Sequence, residues 1–124
     1  MADILIADDE EPIREFLVRA LEHEGHRVTA VSDGAAALET LEAQRCDLLL
    51  ADIVMPQIDG IALALKAGKD FPGLKIVLMT GYAAERERAH NLDALVHDVV
   101  AKPFTLEQIR EVVAAALAAP PRPR

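Results

Sequence analysis

Leu48-Leu49-Leu50-Ala51 is an apolar run of strand length without polar alternation, and it stops at Asp52. A run of this kind fits a strand covered on both faces, as in a parallel sheet packed between helices. The next residues, Ile53 to Gly60, are punctuated as a loop by Met55-Pro56 and Asp59-Gly60. Asp52 therefore stands where a buried strand opens to solvent, the edge at which open α/β sheets bind ligands. A single aspartate at a strand end is ordinarily a turn former or helix cap. Its meaning depends on what else reaches that edge.

The rest of the chain repeats the pattern. Ile4 to Ala7 reads as a first strand and ends in Asp8-Asp9-Glu10-Glu11. Pro12 suits a first helical position, and Ile13, Phe16, Leu17, Ala20 and Leu21 recur at the helical period up to Gly25. His26 to Val31 alternate as a half-buried strand, and Asp33 caps a second helix carrying Leu38 and Leu41. The third strand spans Asp47 to Ala51. Asp59 caps a third helix, about Gly60 to Asp70, with Ile61, Ala64 and Leu65 inward and Leu63 off that stripe as an exposed leucine. Gly68 weakens its end. Lys75 to Met79 is a fourth strand ended by Thr80-Gly81. A charged segment, about Ala83 to Leu95, is expected to be a weak helix, and Val96 to Ala101 a fifth strand ending at Lys102. Thr105-Leu106-Glu107-Gln108 is a capping box, and Leu106, Ile109, Val112, Val113, Ala116 and Leu117 form the last apolar stripe. Residues 1–119 are expected to be one domain, followed by a disordered Pro/Arg tail over 120–124.

Five strands alternating with five helices imply an α/β fold: a (βα)5 three-layer sandwich around a parallel five-stranded sheet. With 124 residues, such a chain buries roughly two-thirds of its unfolded surface. The formal net charge is −8, which speaks against nucleic-acid backbones and anionic membrane surfaces as partners. Cys46 is a lone cysteine, expected as a buried thiol, and no signal peptide or apolar run of membrane-spanning length is seen. A cytoplasmic protein is expected. His23 and His26 straddle Gly25 and read as solvated surface rather than metal ligands.

On the chemical side, Asp8 and Asp9 end strand one, Asp52 ends strand three, Thr80 strand four and Lys102 strand five. Each has an ordinary alternative: helix N-terminal acids, a turn threonine, a surface lysine. Together, three carboxylates on one edge repel one another until a hard cation such as Mg²⁺ relieves them. A lysine and a hydroxyl facing that cation complete a site for a transferring phosphoryl group, with a carboxylate as the available nucleophile.

The motifs Ala7-Asp8-Asp9-Glu10, Asp52 to Gly60, Met79-Thr80-Gly81 and Lys102-Pro103-Phe104, in this order, resemble those of two-component response-regulator receiver domains of the CheY-like type. The resemblance covers about residues 2 to 118 and implies the flavodoxin-like strand order 2-1-3-4-5. It further implies that Asp52 accepts a phosphoryl group from a histidine kinase or histidine phosphotransfer protein. Asp9, Asp52 and the Val54 carbonyl would hold Mg²⁺, with Asp8 acting largely through water, and Thr80 and Lys102 would bind phosphoryl oxygens. The Lys102–Pro103 bond is typically cis in the family. The chain would be a phosphoacceptor rather than an enzyme, a monomer or weak dimer. It would reach an output protein through helix four, strand five and helix five, since no effector domain follows the last helix.

Two departures matter. The family's usual aromatic in strand five is Val99 here, and Leu95-Val96 replaces the usual Gly-Ala. The switch is therefore expected to act through helix four. Val54 and Tyr82, two residues after Asp52 and Thr80, border the site, and slow self-dephosphorylation is expected because valine cannot orient a water. The Asp52-Ile53-Val54-Met55-Pro56 and Thr80-Gly81-Tyr82-Ala83 stretches, with Val99, resemble CpdR-type single-domain regulators, which gate delivery of substrates to the ClpXP protease. A phosphorelay intermediate serving a histidine phosphotransfer protein is the alternative. A Mg²⁺-dependent phosphohydrolase is weaker, because Val54 stands where that superfamily needs a second aspartate.

Overall fold

The computed structural model describes residues 1–90 and 92–120. In chain order the elements are β1 (Asp3–Ala7), α1 (Glu11–His23), β2 (Arg27–Val31), α2 (Gly34–Ala43) and β3 (Leu48–Asp52). There follow α3 (Gly60–Asp70), β4 (Lys75–Thr80), α4 (Ala83–His90), β5 (Asp98–Ala101) and α5 (Leu106–Ala118). All strands are parallel, in the order β2-β1-β3-β4-β5. This is the expected flavodoxin-like arrangement. Of the tail expected over 120–124, residues 121–124 lie outside the described residues.

The period of two in a strand explains the layers. Leu5, Ala7, Leu49, Ala51, Ile76 and Leu78 face one way and pack with residues of α2, α3 and α4. Ile4, Ile6, Leu48, Leu50, Val77 and Met79 face the other way and pack with Leu17 and Leu21 of α1 and Ile109, Val112, Val113 and Ala116 of α5. Because β1, β3 and β4 are central, both of their faces are apolar, which is why they read as continuous runs. Helix starts are fixed by side-chain caps. Asp33 accepts from the Ala36 N–H, Asp59 accepts from the Ala62 N–H, both at 2.8 Å, and Thr105 and Gln108 form the capping box.

Several local expectations need correction. In α3 the buried stripe is Gly60, Leu63, Ala64, Ala67 and Gly68. Leu63 is 0% exposed and Leu65 47%, the reverse of the expected roles. The stripe is phased on its two glycines, which carry no apolar signal. Gly60 lies so close to the end of β3 that an added Cβ would come within 2.3 Å of the Asp52 carbonyl. Gly68 makes room for Leu95, whose Cδ2 would stand 3.0 Å from such a Cβ.

Helix α4 ends at His90, not Leu95. Beyond it the Leu95 and Val96 N–H groups donate to the Leu92 carbonyl at 2.8 and 2.9 Å, a tight turn that carries Leu92 and Leu95 onto the core. Strand β5 accordingly starts at Asp98, later than expected. Leu106 and Phe16 are exposed rather than inward, and Phe16 leans on Phe104 with ring centroids 6.1 Å apart. Cys46 is half-buried rather than buried. His26 is half-buried rather than solvated, its Nδ1 accepting from the Ala2 N–H at 3.1 Å.

The rephased α3 separates two leucines that the sequence pattern confuses. Leu63→Ala should lower unfolding free energy by about 2–5 kcal/mol, while Leu65→Ala should change it by less than about 0.5 kcal/mol. Urea unfolding of both variants checks this, and comparable losses would contradict the packing.

Candidate functional site

The carboxyl ends of β1, β3, β4 and β5 meet at one edge. Asp52 is the last residue of β3 and Thr80 the last of β4, while Asp8 and Lys102 each follow their strand by one residue. Asp8, Asp52 and Thr80 are 0%, 5% and 2% exposed, whereas Asp9 and Glu10 face solvent. The register places Asp52 beside Met79 and Thr80 beside Ala101, so the strand ends step across the edge and leave a cleft between them.

Lys102 crosses this cleft. Its Nζ donates to Asp8 Oδ2 at 2.9 Å and to Asp52 Oδ2 at 3.1 Å, and it lies 3.4 Å from Glu10 Oε1. The cis Lys102–Pro103 bond lies at the start of the following loop. Asp8 Oδ1 accepts from the Glu10 N–H at 2.9 Å, and the Val54 N–H reaches Asp52 Oδ1 at 3.4 Å, which brings the Val54 main chain to the cleft. One carboxylate oxygen from each of Asp8, Asp9, Glu10 and Asp52 lies within 4.8 Å of the others. All are hard oxygen donors, so the set fits a Mg²⁺ ion, which favours carboxylates, carbonyls and water. Thr80 borders the same edge, but its hydroxyl is engaged with Tyr82, accepting from the Tyr82 N–H at 3.1 Å.

The sequence reading named Asp8, Asp9, Asp52, Val54, Thr80 and Lys102, and the fold brings all six to this edge. It assigned nothing to Glu10, although a third acid in a run was a visible signal. Asp8 also meets Lys102 directly, a contact the sequence pattern did not single out.

Burial pushes the Asp52 carboxyl up from its ordinary range; Lys102 opposes this and Asp8 adds to it. For Lys102, burial works against the charge, but contact with Asp8 and Asp52 outweighs it and holds the ammonium protonated above the usual lysine range. The cleft therefore holds a half-buried cation among an excess of carboxylates.

An acidic cleft opposite a lysine, at the carboxyl edge of a flavodoxin-like sheet, agrees with the family comparison: residues 4–114 match the response regulator receiver domain. The chain belongs to that family. It is 43% identical over 109 residues to the response regulator receiver protein CpdR of Brucella abortus, covering 88% of this chain and 91% of that one. Against the probable transcriptional regulatory protein TcrX of Mycobacterium tuberculosis the identity is 33%, over 86% of this chain but 45% of that protein. The chain thus spans less than half of TcrX.

Among solved structures, the response regulator TrrA of Thermotoga maritima, in complex with Mg²⁺ and beryllofluoride, superposes with a TM-score of 0.85 at 32% identity. That match covers 94% of this chain and 99% of TrrA. A CheY-like receiver domain protein of Methanospirillum hungatei gives 0.88 at 31% identity, covering 94% of each chain.

The raised Asp52 pKa carries a stability consequence. Ionising this carboxyl opposes folding, so the penalty is absent below its ordinary 3.8 and complete once pH has risen through the folded-state value. Asp52→Asn removes that charge and leaves Lys102 with Asp8 and Glu10. In EDTA the variant should melt above wild type at about pH 7, and the gap should close as pH falls below about 4. Calorimetry reads this directly, and a variant melting below wild type at neutral pH contradicts the assignment.

Proposed function

We propose that this chain is a phosphoacceptor in two-component signalling, with Asp52 as the acceptor and Asp8, Asp9, Asp52 and the Val54 carbonyl as the Mg²⁺ site. The observation that carries the reading is the Asp52 carboxylate, buried at a strand end, hydrogen-bonded to Lys102 and within 4.8 Å of three further carboxylates. An Asp52 oxygen attacks the phosphorus of a phosphohistidine on a histidine kinase or phosphotransfer protein. The P–N bond breaks, the imidazole leaves with its electron pair and takes up a proton, and an acyl phosphate remains. Bound Mg²⁺ supplies charge neutralisation at the phosphoryl oxygens. Lys102 and Thr80 hold the remaining oxygens, Lys102 by leaving Asp52 for the phosphoryl group and Thr80 by releasing Tyr82. The chain then acts as a cytoplasmic switch, monomer or weak dimer, rather than as an enzyme.

The output reading is regulated proteolysis of the CpdR kind, supported by the 43% identity with CpdR across nearly the whole of both chains. The partner-binding surface in this reading is α4, β5 and α5. Val99 is half-buried on the core and offers no ring to reorient, so the signal passes through α4, where Ala89 is the one buried residue among those described. A relay to a histidine phosphotransfer protein is the second reading. Pull-downs with unphosphorylated and phosphorylated protein separate the two, by recovering a protease component or a phosphotransfer protein.

Incubation with acetyl phosphate and Mg²⁺ should add one phosphoryl group by intact mass, and none with EDTA or in Asp52→Ala. If neither acetyl phosphate nor a panel of phosphorylated kinases loads the wild type, the chain is a binding module and the reading fails. Val54 is exposed and apolar, so no side chain there activates water, and the acyl phosphate should persist for minutes or longer; loss within seconds in Mg²⁺ counts against this.

In Mg²⁺ and beryllofluoride, amides of residues 83–95 should exchange faster than in the free protein. Unchanged protection would remove α4 from the mechanism.

A further inference from the structure

We infer that Arg14 is a positioning residue of the acidic cleft, fixing the main chain of Asp8 and thereby the aim of its carboxylate. The inference rests on the proposed Mg²⁺ site and adds to it a residue that never enters the cleft.

Asp8 is the first residue beyond β1, past the last β1–β3 pair at Ala7 and Ala51. It is wholly buried, so each of its polar groups needs a partner outside the sheet ladder. The N–H donates to the Val31 carbonyl at 3.2 Å. Oδ1 accepts from the Glu10 N–H, and Oδ2 accepts from Lys102 Nζ. The remaining group is the main-chain carbonyl, and it accepts from Arg14 Nη1 at 2.7 Å. A guanidinium donor makes that a short, charge-assisted bond.

Arg14 is half-buried in the first turn of α1, and its own N–H donates to the Glu10 carbonyl at 3.1 Å. The loop is therefore held at both ends, at Glu10 by the first main-chain bond of α1 and at Asp8 by the Arg14 side chain. The loop between these grips carries Asp8, Asp9 and Glu10, three of the four clustered carboxylates. With Arg14 in place, the Asp8 carboxylate has its main chain pinned from both sides and one oxygen presented to the cleft.

Charge and positioning predict opposite outcomes, which makes the role testable. A guanidinium beside four carboxylates weakens cation binding by charge alone, so its removal would tighten Mg²⁺. Loss of positioning would loosen it. Groups that orient metal ligands from behind typically change metal affinity by about 10-fold or more when removed.

The experiment is Mg²⁺ titration of the full chain by isothermal calorimetry, with fluorescence of Tyr82, the chain's single tyrosine, as a second signal. Arg14→Met should bind Mg²⁺ about 10-fold more weakly than wild type. Arg14→Lys, which keeps a charged donor, should recover most of the loss. In the Asp8→Asn background the same Arg14→Met change should have less than about a twofold effect, because the carboxylate whose aim Arg14 fixes is already gone. Should Arg14→Met not fold, Arg14→Gln, whose neutral amide has shorter reach, carries the same expectation of weaker binding. Unchanged or tighter Mg²⁺ binding in folded Arg14→Met or Arg14→Gln, or an undiminished effect in Asp8→Asn, overturns the inference. Wild-type protein that takes up no Mg²⁺ overturns instead the site on which it rests.

Discussion

The Lys102 ammonium is the contact on which the functional edge depends. Asp8 and Asp52 are closed to solvent, and two buried carboxylates side by side are costly unless a cation stands between them. Lys102 supplies that cation from 94 residues beyond Asp8 and 50 beyond Asp52. One side chain from the end of the last strand thus ties together the ends of the first and third. The arrangement is stable only as a compromise. The carboxylates outnumber the cation, and burial still pushes the Asp52 carboxyl up despite its lysine. A site with this balance of charge favours additional positive charge, and its clustered carboxylate oxygens are donors of the kind a hard divalent ion takes.

The compromise can be held in one place because the sheet around it is buried and aliphatic on both faces. Central strands with aliphatic side chains on both faces leave no polar group to compete for the charges, and the parallel order brings successive strand ends to the same edge. The two helical layers close both faces up to Asp52 and Thr80. Beyond those residues the core stops and polar chemistry begins. The site is therefore a product of the fold's boundary: the same alternation that buries Leu50 and Ala51 leaves the next residue at the rim.

That boundary is what the sequence made legible. Strand cores appear as unbroken aliphatic runs, and the residue that ends each run is the residue that reaches the cleft, so Asp8, Asp52, Thr80 and Lys102 could be picked out before any geometry was known. Features that depend on close approach were not legible. Gly60 and Gly68 lie on the contact face of α3 because they have no side chain, and a hydrophobic pattern read without them shifts the stripe by a residue or two and exchanges Leu63 for Leu65. Leu92 and Leu95 look like continued helical spacing beyond α4, whereas both turn onto the core and Leu95 fills the space that Gly68 leaves open. Arg14 reads as one more charged residue on a surface helix. Its contact with the Asp8 carbonyl depends on how α1 leaves β1, which no spacing rule specifies.

The loop after Asp52 shows how the edge connects to the outer surface. Gly60 packs against the Asp52 carbonyl, and its N–H donates to the Ile53 carbonyl at 2.8 Å, so residues 53–59 close a tight circuit between β3 and α3. Asp59 sits at the end of that circuit and serves two helices. Oδ1 caps α3, while Oδ2 lies 3.3 Å from Arg88 Nη2 on α4, and Arg88 also pairs with Glu85. An exposed ion pair of this sort contributes little in absolute terms, roughly 0–1 kcal/mol. Its weight is set by what else holds α4, and there the described buried contact is Ala89 together with the turn through Leu92 and Leu95. A marginal helix responds to small terms. Val54 and the acceptor for Arg88 lie on the same loop, so a short stretch of chain joins the surroundings of Asp52 to a side-chain contact of α4. The apolar core separates the two faces of the sheet, and this polar bridge along its rim is where a local change at the cleft has a physical route outward.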